Sequence, residues 1–372
     1  MIEPRVTRRT LLATPALVQR TFGQRSSAPL VYFGTYTRGQ SKGIYCCRFD
    51  ASSGETAGLT LAAEMANPSF LAIHPNRRFL YAVSEAQGGT VASFRIDQQS
   101  GILTRLNETS SRGAGPCHVQ VDPTGKLLGV ANYGGGSTAL LRLNTDGSLQ
   151  EAASFHQHTG SSVNQARQRE PHAHSFNFSR DSRFAVVADL GIDKLQVYAI
   201  DAATGMMKLH GSAAMKPGAG PRHFTFHLNG RFAYAINELD STITALSWNA
   251  GTLTVMESVS TLPSGWSGQS TTAEVVVHPN GRFVYGSNRG HDSIALFQVN
   301  EKTGQLTPAG HFPTGGRTPR NFAIHPSGRW LFAANQNSGS VVIFRLDEKT
   351  GSLSPMSNKL DIDAAVCVRF LG

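Results

Sequence analysis

His278-Pro-Asn-Gly-Arg-Phe-Val-Tyr-Gly-Ser-Asn-Arg289 decides the fold. Pro-Asn-Gly is a tight turn, and the β-branched and aromatic run Phe283-Val-Tyr285 after it is a returning strand. Five other segments read alike: His74–Glu85, Asp122–Tyr133, Ser179–Leu190, His227–Glu238 and His325–Gln336. Successive starts lie 48, 57, 48, 51 and 47 residues apart, a period that belongs to four-stranded propeller blades. Before each turn runs an apolar strand such as Phe70-Leu-Ala-Ile73. After the second strand comes a third, such as Ser293–Val299. An acidic Thr-Gly turn (Asn300-Glu-Lys-Thr-Gly304) and a short fourth strand, Gln305-Leu-Thr307, complete the unit.

The chain ends supply a seventh unit. Leu30–Tyr36 matches the second strand and Gly43–Phe49 the third, and the missing first strand is the C-terminal Ala365-Val-Cys-Val-Arg-Phe370. Pairing the two termini covers edges that would otherwise invite association. The expected fold is therefore all-β: a seven-bladed β-propeller over residues 28–372, with four antiparallel strands per blade.

Composition narrows the partners. The 372 residues carry a net charge of +9, and residues 1–25 hold +4 of it through Arg5, Arg8, Arg9, Arg20 and Arg25 against Glu3. No clustered basic run with interleaved aromatics follows, so nucleic acid is not an expected partner. No apolar run has the length of a membrane-spanning helix. Cys46, Cys47, Cys117 and Cys367 have no metal-ligand spacing, and buried free thiols are expected. Residues 1–27 stand outside the propeller. Thr7-Arg8-Arg9-Thr10-Leu11-Leu12, with a short apolar stretch to Val18, resembles a twin-arginine export signal, although no clean cleavage site follows. Such a leader implies a periplasmic protein; an ordinary basic tail implies a cytoplasmic one.

An internal repeat separates scaffold from site. A position filled alike in every blade belongs to the scaffold, whereas ligand chemistry needs broken symmetry. The histidines at 74, 227, 278 and 325 precede the same turn and read as structural. So do Asn132, Asp189, Asn237, Asn288, Asn335, Ser84 and Thr35 near the end of the second strand, whose short polar side chains suit backbone bonding. The last residue of that strand varies: Tyr36, Glu85, Tyr133, Leu190, Glu238, Arg289 and Gln336. Five residues before the turn the first strand varies too: Ser69, Cys117, His174, Arg222, Ala273 and Arg320. Antiparallel pairing puts both positions on one face of the ring, around the mouth of the central channel. His174, Arg222, Glu238, Arg289 and Arg320 are its ionisable members, with His118, His172, His223, Asn288 and Glu274 close in sequence. Arginines in such a place suit a carboxylate or phosphate, and a His with a Glu suits proton transfer. The competing expectation is a ring of Arg–Glu bridges that only ties blades together.

Phe33-Gly-Thr-Tyr-Thr37, Gly115-Pro-Cys-His118, Ala131-Asn-Tyr133, Pro171-His-Ala-His174, Gly220-Pro-Arg-His223, Asn237-Glu238 and Ser287-Asn-Arg289 occur in this order. With these motifs the chain resembles the seven-bladed lactonase family, which includes bacterial 6-phosphogluconolactonases and the fungal 3-carboxymuconate lactonizing enzyme. The resemblance implies catalytic roles for His174, Arg222, Glu238 and Arg289, and a metal- and cofactor-independent lactonase acting on a small anionic lactone such as 6-phosphogluconolactone. His118, His172, His223, Arg320 and Asn288 are expected to line the substrate site. Which of His174 and Glu238 is the base stays open, as does the oligomeric state. A lactonizing reaction on a dicarboxylate and a non-catalytic binding propeller are the alternatives. A calcium-dependent gluconolactonase would need converging oxygen ligands where this chain has arginines, and a quinone dehydrogenase would need a repeated Trp docking motif.

Overall fold

The computed structural model describes residues 28–372 together with Met1, so the twin-arginine-like segment lies outside the described residues. Seven four-stranded antiparallel sheets form the ring. We number the blades in chain order. Blade 1 takes its innermost strand from the C-terminus, Ala365–Phe370, which pairs with Leu30–Thr35. The inner strands of blades 2 to 7 are Leu71–Ile73, Pro116–Val121, Ala173–Phe178, Pro221–Phe226, Thr271–Val277 and Pro319–Ile324.

The cores lie between blades. Phe232, Tyr234 and Ile236 of blade 5 pack on Val275, Val284 and Phe297 of blade 6, all buried. Burying a side chain of this size contributes about 1.5–3 kcal/mol. Polar clasps fix the register of one blade on the next. Nε2 of His74, His227 and His278 lies 2.9, 2.7 and 2.8 Å from the turn carbonyls of Gly125, Gly281 and Gly328 in the following blade. Nδ1 of the same rings accepts a backbone N–H two residues on, which leaves the proton on Nε2 for the clasp. His325 has no such turn ahead of it, because blade 1 is where the termini meet, and it packs on Phe49 and Phe370 instead. Tyr32, Tyr81, Tyr234 and Tyr285 make a second clasp, each hydroxyl donating to a glycine carbonyl of the next blade's outer turn.

The fourth strands are longer than the sequence suggests. Leu306–Pro313 spans 8 residues, where only the first few read as a strand. This edge is mostly exposed, so the apolar alternation that marks a buried strand is missing.

Candidate active site

In five of the seven blades the variable position of the inner strand is a β-bulge. In blade 4, Ala173 pairs with Asp189 and Ser175 with Ala188, which leaves His174 without an opposite number. The same slip leaves Cys117, Arg222, Arg320 and Val366 unpaired in blades 3, 5, 7 and 1. A bulge re-aims its extra residue, and here it releases one side chain per blade. In blades 3, 5 and 7 a left-handed residue just ahead sets it up: Gly115, Gly220 and Thr318 have φ of 57°, 65° and 63°, and each precedes a proline that cannot donate to the ladder. Thr318 adopts this conformation against the preference of a β-branched residue. It is held there by Asp292, which accepts from its N–H at 2.8 Å, and by Asn337, which donates to its hydroxyl at 2.8 Å.

Glu238 is the hub of the mouth. Its Oε2 takes Nε of Arg222 at 3.0 Å and an Nη2 of Arg289 at 2.9 Å, while Oε1 takes Arg167 at 2.7 Å. Burial alone would raise this carboxyl, but the three guanidinium groups outweigh it and hold it well below the usual carboxylate range. Arg222 is pushed down to about 10 by burial and by the charges of Arg320 and Arg289. Arg289 also donates to the Thr272 carbonyl at 2.6 Å, and its buried Nε has no partner. Arg320 lies over the ring of Tyr36, 5.4 Å from its centroid, and makes no hydrogen bond among the described residues. Tyr36 in turn donates to Glu85 at 2.9 Å.

His174 is buried against Tyr133, with ring centroids 5.1 Å apart, and its Nδ1 lies 3.6 Å from Sγ of Cys117. Burial, with the charges of Arg222 and Arg320 beside it, pushes its pKa well below the ordinary value, so the ring is neutral at ordinary pH. No hydrogen-bond partner engages its Nε2 among the described residues. Cys117 is not a rival nucleophile, because burial pushes its thiol far up.

One layer further in, His223 takes a contact from Arg222 on Nε2 at 3.1 Å, and its Nδ1 lies 2.8 Å from Glu274. Since a guanidinium can only donate, Nε2 is the acceptor and the proton sits on Nδ1, facing Glu274. Asn321 and the Val275 N–H complete the carboxylate's partners. This chain of contacts fixes Arg222 from behind. His118 lies here too, tilted on Phe70 with centroids 4.1 Å apart, its Nδ1 accepting the Phe176 N–H on the inner edge of blade 4. His118, His223 and Glu274 thus border a chamber of about 310 Å³ that runs toward the opposite face past Asn177, Thr225 and Arg369.

Sequence reasoning therefore gathered some residues that belong together and some that do not. His174, Arg222, Glu238, Arg289 and Arg320 share the mouth. His172 reaches it by stacking on Tyr133 at 4.4 Å, with Nδ1 3.0 Å from that residue's carbonyl. His118 and His223 sit in the layer beneath. Asn288 is a correction: it is fully buried, and its amide donates to Thr261 O and Ser293 Oγ and accepts from Thr261 Oγ1. It is a scaffold residue of the same class as Asn132 and Asn335, as its place in the repeat already indicated. Arg167 was missed. It stands in the connection between blades 3 and 4, and the 57-residue interval there, the longest of the five, was the signal that could have found it. Among the described residues no group of three or more His, Cys, Asp or Glu is placed to hold a metal ion, and no helix is long and apolar enough to cross a membrane.

An arginine cage around one carboxylate, with a neutral histidine beside it, can bind an anion and stabilise a developing oxyanion. Residues 30–370 match the family described as lactonase, 7-bladed beta-propeller. The chain belongs to the seven-bladed β-propeller lactonase family. As such it is a lactone hydrolase whose substrate is a small lactone. The lactonase is 40% identical to a 6-phosphogluconolactonase of Bacillus subtilis over 294 residues, 78% of this chain and 83% of that one. It is 36% identical to a 6-phosphogluconolactonase of Formosa agariphila over 78% of this chain and 85% of the other. Its structure superposes on the periplasmic gluconolactonase of Pseudomonas aeruginosa with a TM-score of 0.88 and 30% identity, covering 92% of this lactonase and 99% of that chain.

Proposed function

We propose that this lactonase opens a phosphorylated sugar-acid lactone, 6-phosphogluconolactone, with His174 as the base and Arg320, Arg222 and Arg289 as the electrostatic machinery. The observation that carries the reading is the pairing of a neutral histidine with a guanidinium, the Nε2 of the one and the donors of the other having no hydrogen-bond partner among the described residues. Glu238 is a poor base, since protonating it means displacing three guanidinium bonds. Its role is to hold the arginines in place.

In the proposed reaction His174 takes a proton from water as the water oxygen attacks the lactone carbonyl. Negative charge develops on the carbonyl oxygen, and the arginine donors receive it without reorganising. When the intermediate collapses, the ring C–O bond breaks and the imidazolium returns its proton to the departing alkoxide. The product is a hydroxy acid that ionises and releases one proton. Charge favours an anionic substrate: Arg167, Arg222, Arg289 and Arg320 face Glu238 and Glu85, two positive charges in excess. The second reading is unphosphorylated gluconolactone. It is favoured by the twin-arginine-like segment and by similarity to the periplasmic enzyme of Pseudomonas aeruginosa, since an exported protein meets few sugar phosphates.

The test is proton release at constant pH on fresh 6-phosphoglucono-lactone and glucono-lactone, corrected for spontaneous opening. Acceleration of both with a higher kcat/KM on the phosphorylated lactone supports the proposal. A preference for the neutral lactone moves the assignment to the second reading, and no acceleration of either overturns both.

A further inference from the structure

The connection between blades 3 and 4 is built as a rigid platform. Gln168 is fully buried, its amide donating to Leu190 O at 2.8 Å and accepting the Asn164 N–H at 3.1 Å. Backbone bonds tie Ser162 to Gln168 O at 2.8 Å and Gln168 to Asn164 O at 2.7 Å. The Ser162 hydroxyl donates to Asp193 at 2.5 Å, which also accepts from the Gly218 and Gly220 N–H groups of the next blade. This platform extends Arg167 toward the mouth, where Nη2 reaches Glu238 at 2.7 Å and the Tyr133 hydroxyl at 3.1 Å.

Arg167 differs from Arg222 and Arg289 in exposure. Its side chain is 38% exposed, against 3% for Arg222 and 13% for Arg289. Of its donors only Nη2 is engaged; Nε and Nη1, three N–H groups, have no partner among the described residues. Arg222 spends Nη1 on Ala273 O at 2.7 Å as well as on His223, and Arg289 spends Nη2 on Thr272 O. They are committed inward. Arg167 is the guanidinium that an arriving anion meets first, fixed at its base and open at its edge.

Building on the lactonase reading, we infer that Arg167 is the specificity-determining residue that grips the substrate's remote anionic group and so selects a phosphorylated lactone over a neutral one. The free Nε–H and Nη1–H groups offer charge-assisted donors to phosphate oxygens, which a neutral hydroxymethyl group cannot use equally. The contact lies away from the carbonyl, so it acts on binding more than on the chemical step.

The experiment measures kcat and KM of wild type, Arg167→Gln and Arg167→Lys on 6-phosphoglucono-lactone and glucono-lactone. In parallel, the binding of 6-phosphogluconate and gluconate is measured by calorimetry. The expected result for Arg167→Gln is a fall of at least tenfold in the ratio of the two kcat/KM values, carried by KM on the phosphorylated lactone. Arg167→Lys should recover part of that ratio, since the charge returns without the guanidinium's spread of donors. An equal fall on both lactones would mean that Arg167 only props Glu238, and an unchanged ratio would mean that it reads nothing; either overturns the inference. If wild type opens neither lactone, the lactonase reading fails by itself. The binding measurement then decides for Arg167: loss of the preference for 6-phosphogluconate in the Gln variant sustains the inference, and retention overturns it.

Discussion

At the residue scale, two neighbouring side chains with similar sequence signals do different work. Glu238 is buried and bound by three guanidinium groups, so removing its charge leaves those groups unbalanced in a site of low polarity. Glu238→Gln is expected to cost about 3–5 kcal/mol of stability together with most of the activity. Among the described residues the Arg320 side chain makes no hydrogen bond and stacks on Tyr36. Arg320→Gln is expected to leave the melting temperature within a few degrees of wild type while lowering kcat by about 10²–10³-fold, the usual effect of removing an oxyanion donor. Thermal melts and steady-state kinetics of the two variants check this. A variant at Arg320 that melts early with intact kcat would reverse the assignment. The repeat made both residues visible, because each breaks the sevenfold pattern. It could not say which was hub and which was free, since that depends on the partners each side chain finds.

The element scale explains why the site is legible at all. An inner-strand bulge with a second strand ending beside it recurs in five blades, in three of them behind a left-handed residue and a proline, so the variable residues there are also the ones aimed at the mouth. The constant residues are the clasps. His278 accepts the Asn280 N–H and contacts Gly328 O across the blade boundary, and it lies at the turn end of the strand, away from the cage. His278→Ala is expected to cost about 1–3 kcal/mol, the effect of leaving buried backbone groups unpaired, with kcat/KM retained below the melting transition. Denaturant titration and an assay on the same sample check it; a catalytic loss without a stability loss would place His278 in the site. What stayed hidden was what the repeat does not contain. Arg167 sits on a connection with no counterpart in the other blades, and only the longer interval betrays it. Asn288 lay beside a site arginine in sequence, but its strand position turns it into the wall.

For the whole molecule, ring closure collects three histidines, His118, His174 and His223, where burial and neighbouring charge push all of them well below the ordinary value of 6.5. In the unfolded chain they protonate near that value, so as pH falls below it the unfolded state takes up protons that the folded state refuses. Stability is then lost, by up to about 1.4 kcal/mol per pH unit for each group. Glu274, raised by burial, opposes this above its ordinary 4.5, but it is one group against three. The depressed carboxyl of Glu238 adds to the loss below 4.5. The melting temperature is therefore expected to fall steadily from pH 6.5 to 5, and a maximum near pH 5 in differential scanning calorimetry would contradict the assignment of neutral histidines. Through both the strand closure by the C-terminal Ala365–Phe370 and the arginine cage, the fold and the site form one object. The central claim is that the neutral base at the mouth is His174. The most direct test is kcat/KM for 6-phosphoglucono-lactone in His174→Gln, with circular dichroism to confirm the fold. The account predicts a loss of at least about 100-fold, in line with the removal of a general base. Retention of wild-type turnover by a folded variant would contradict it.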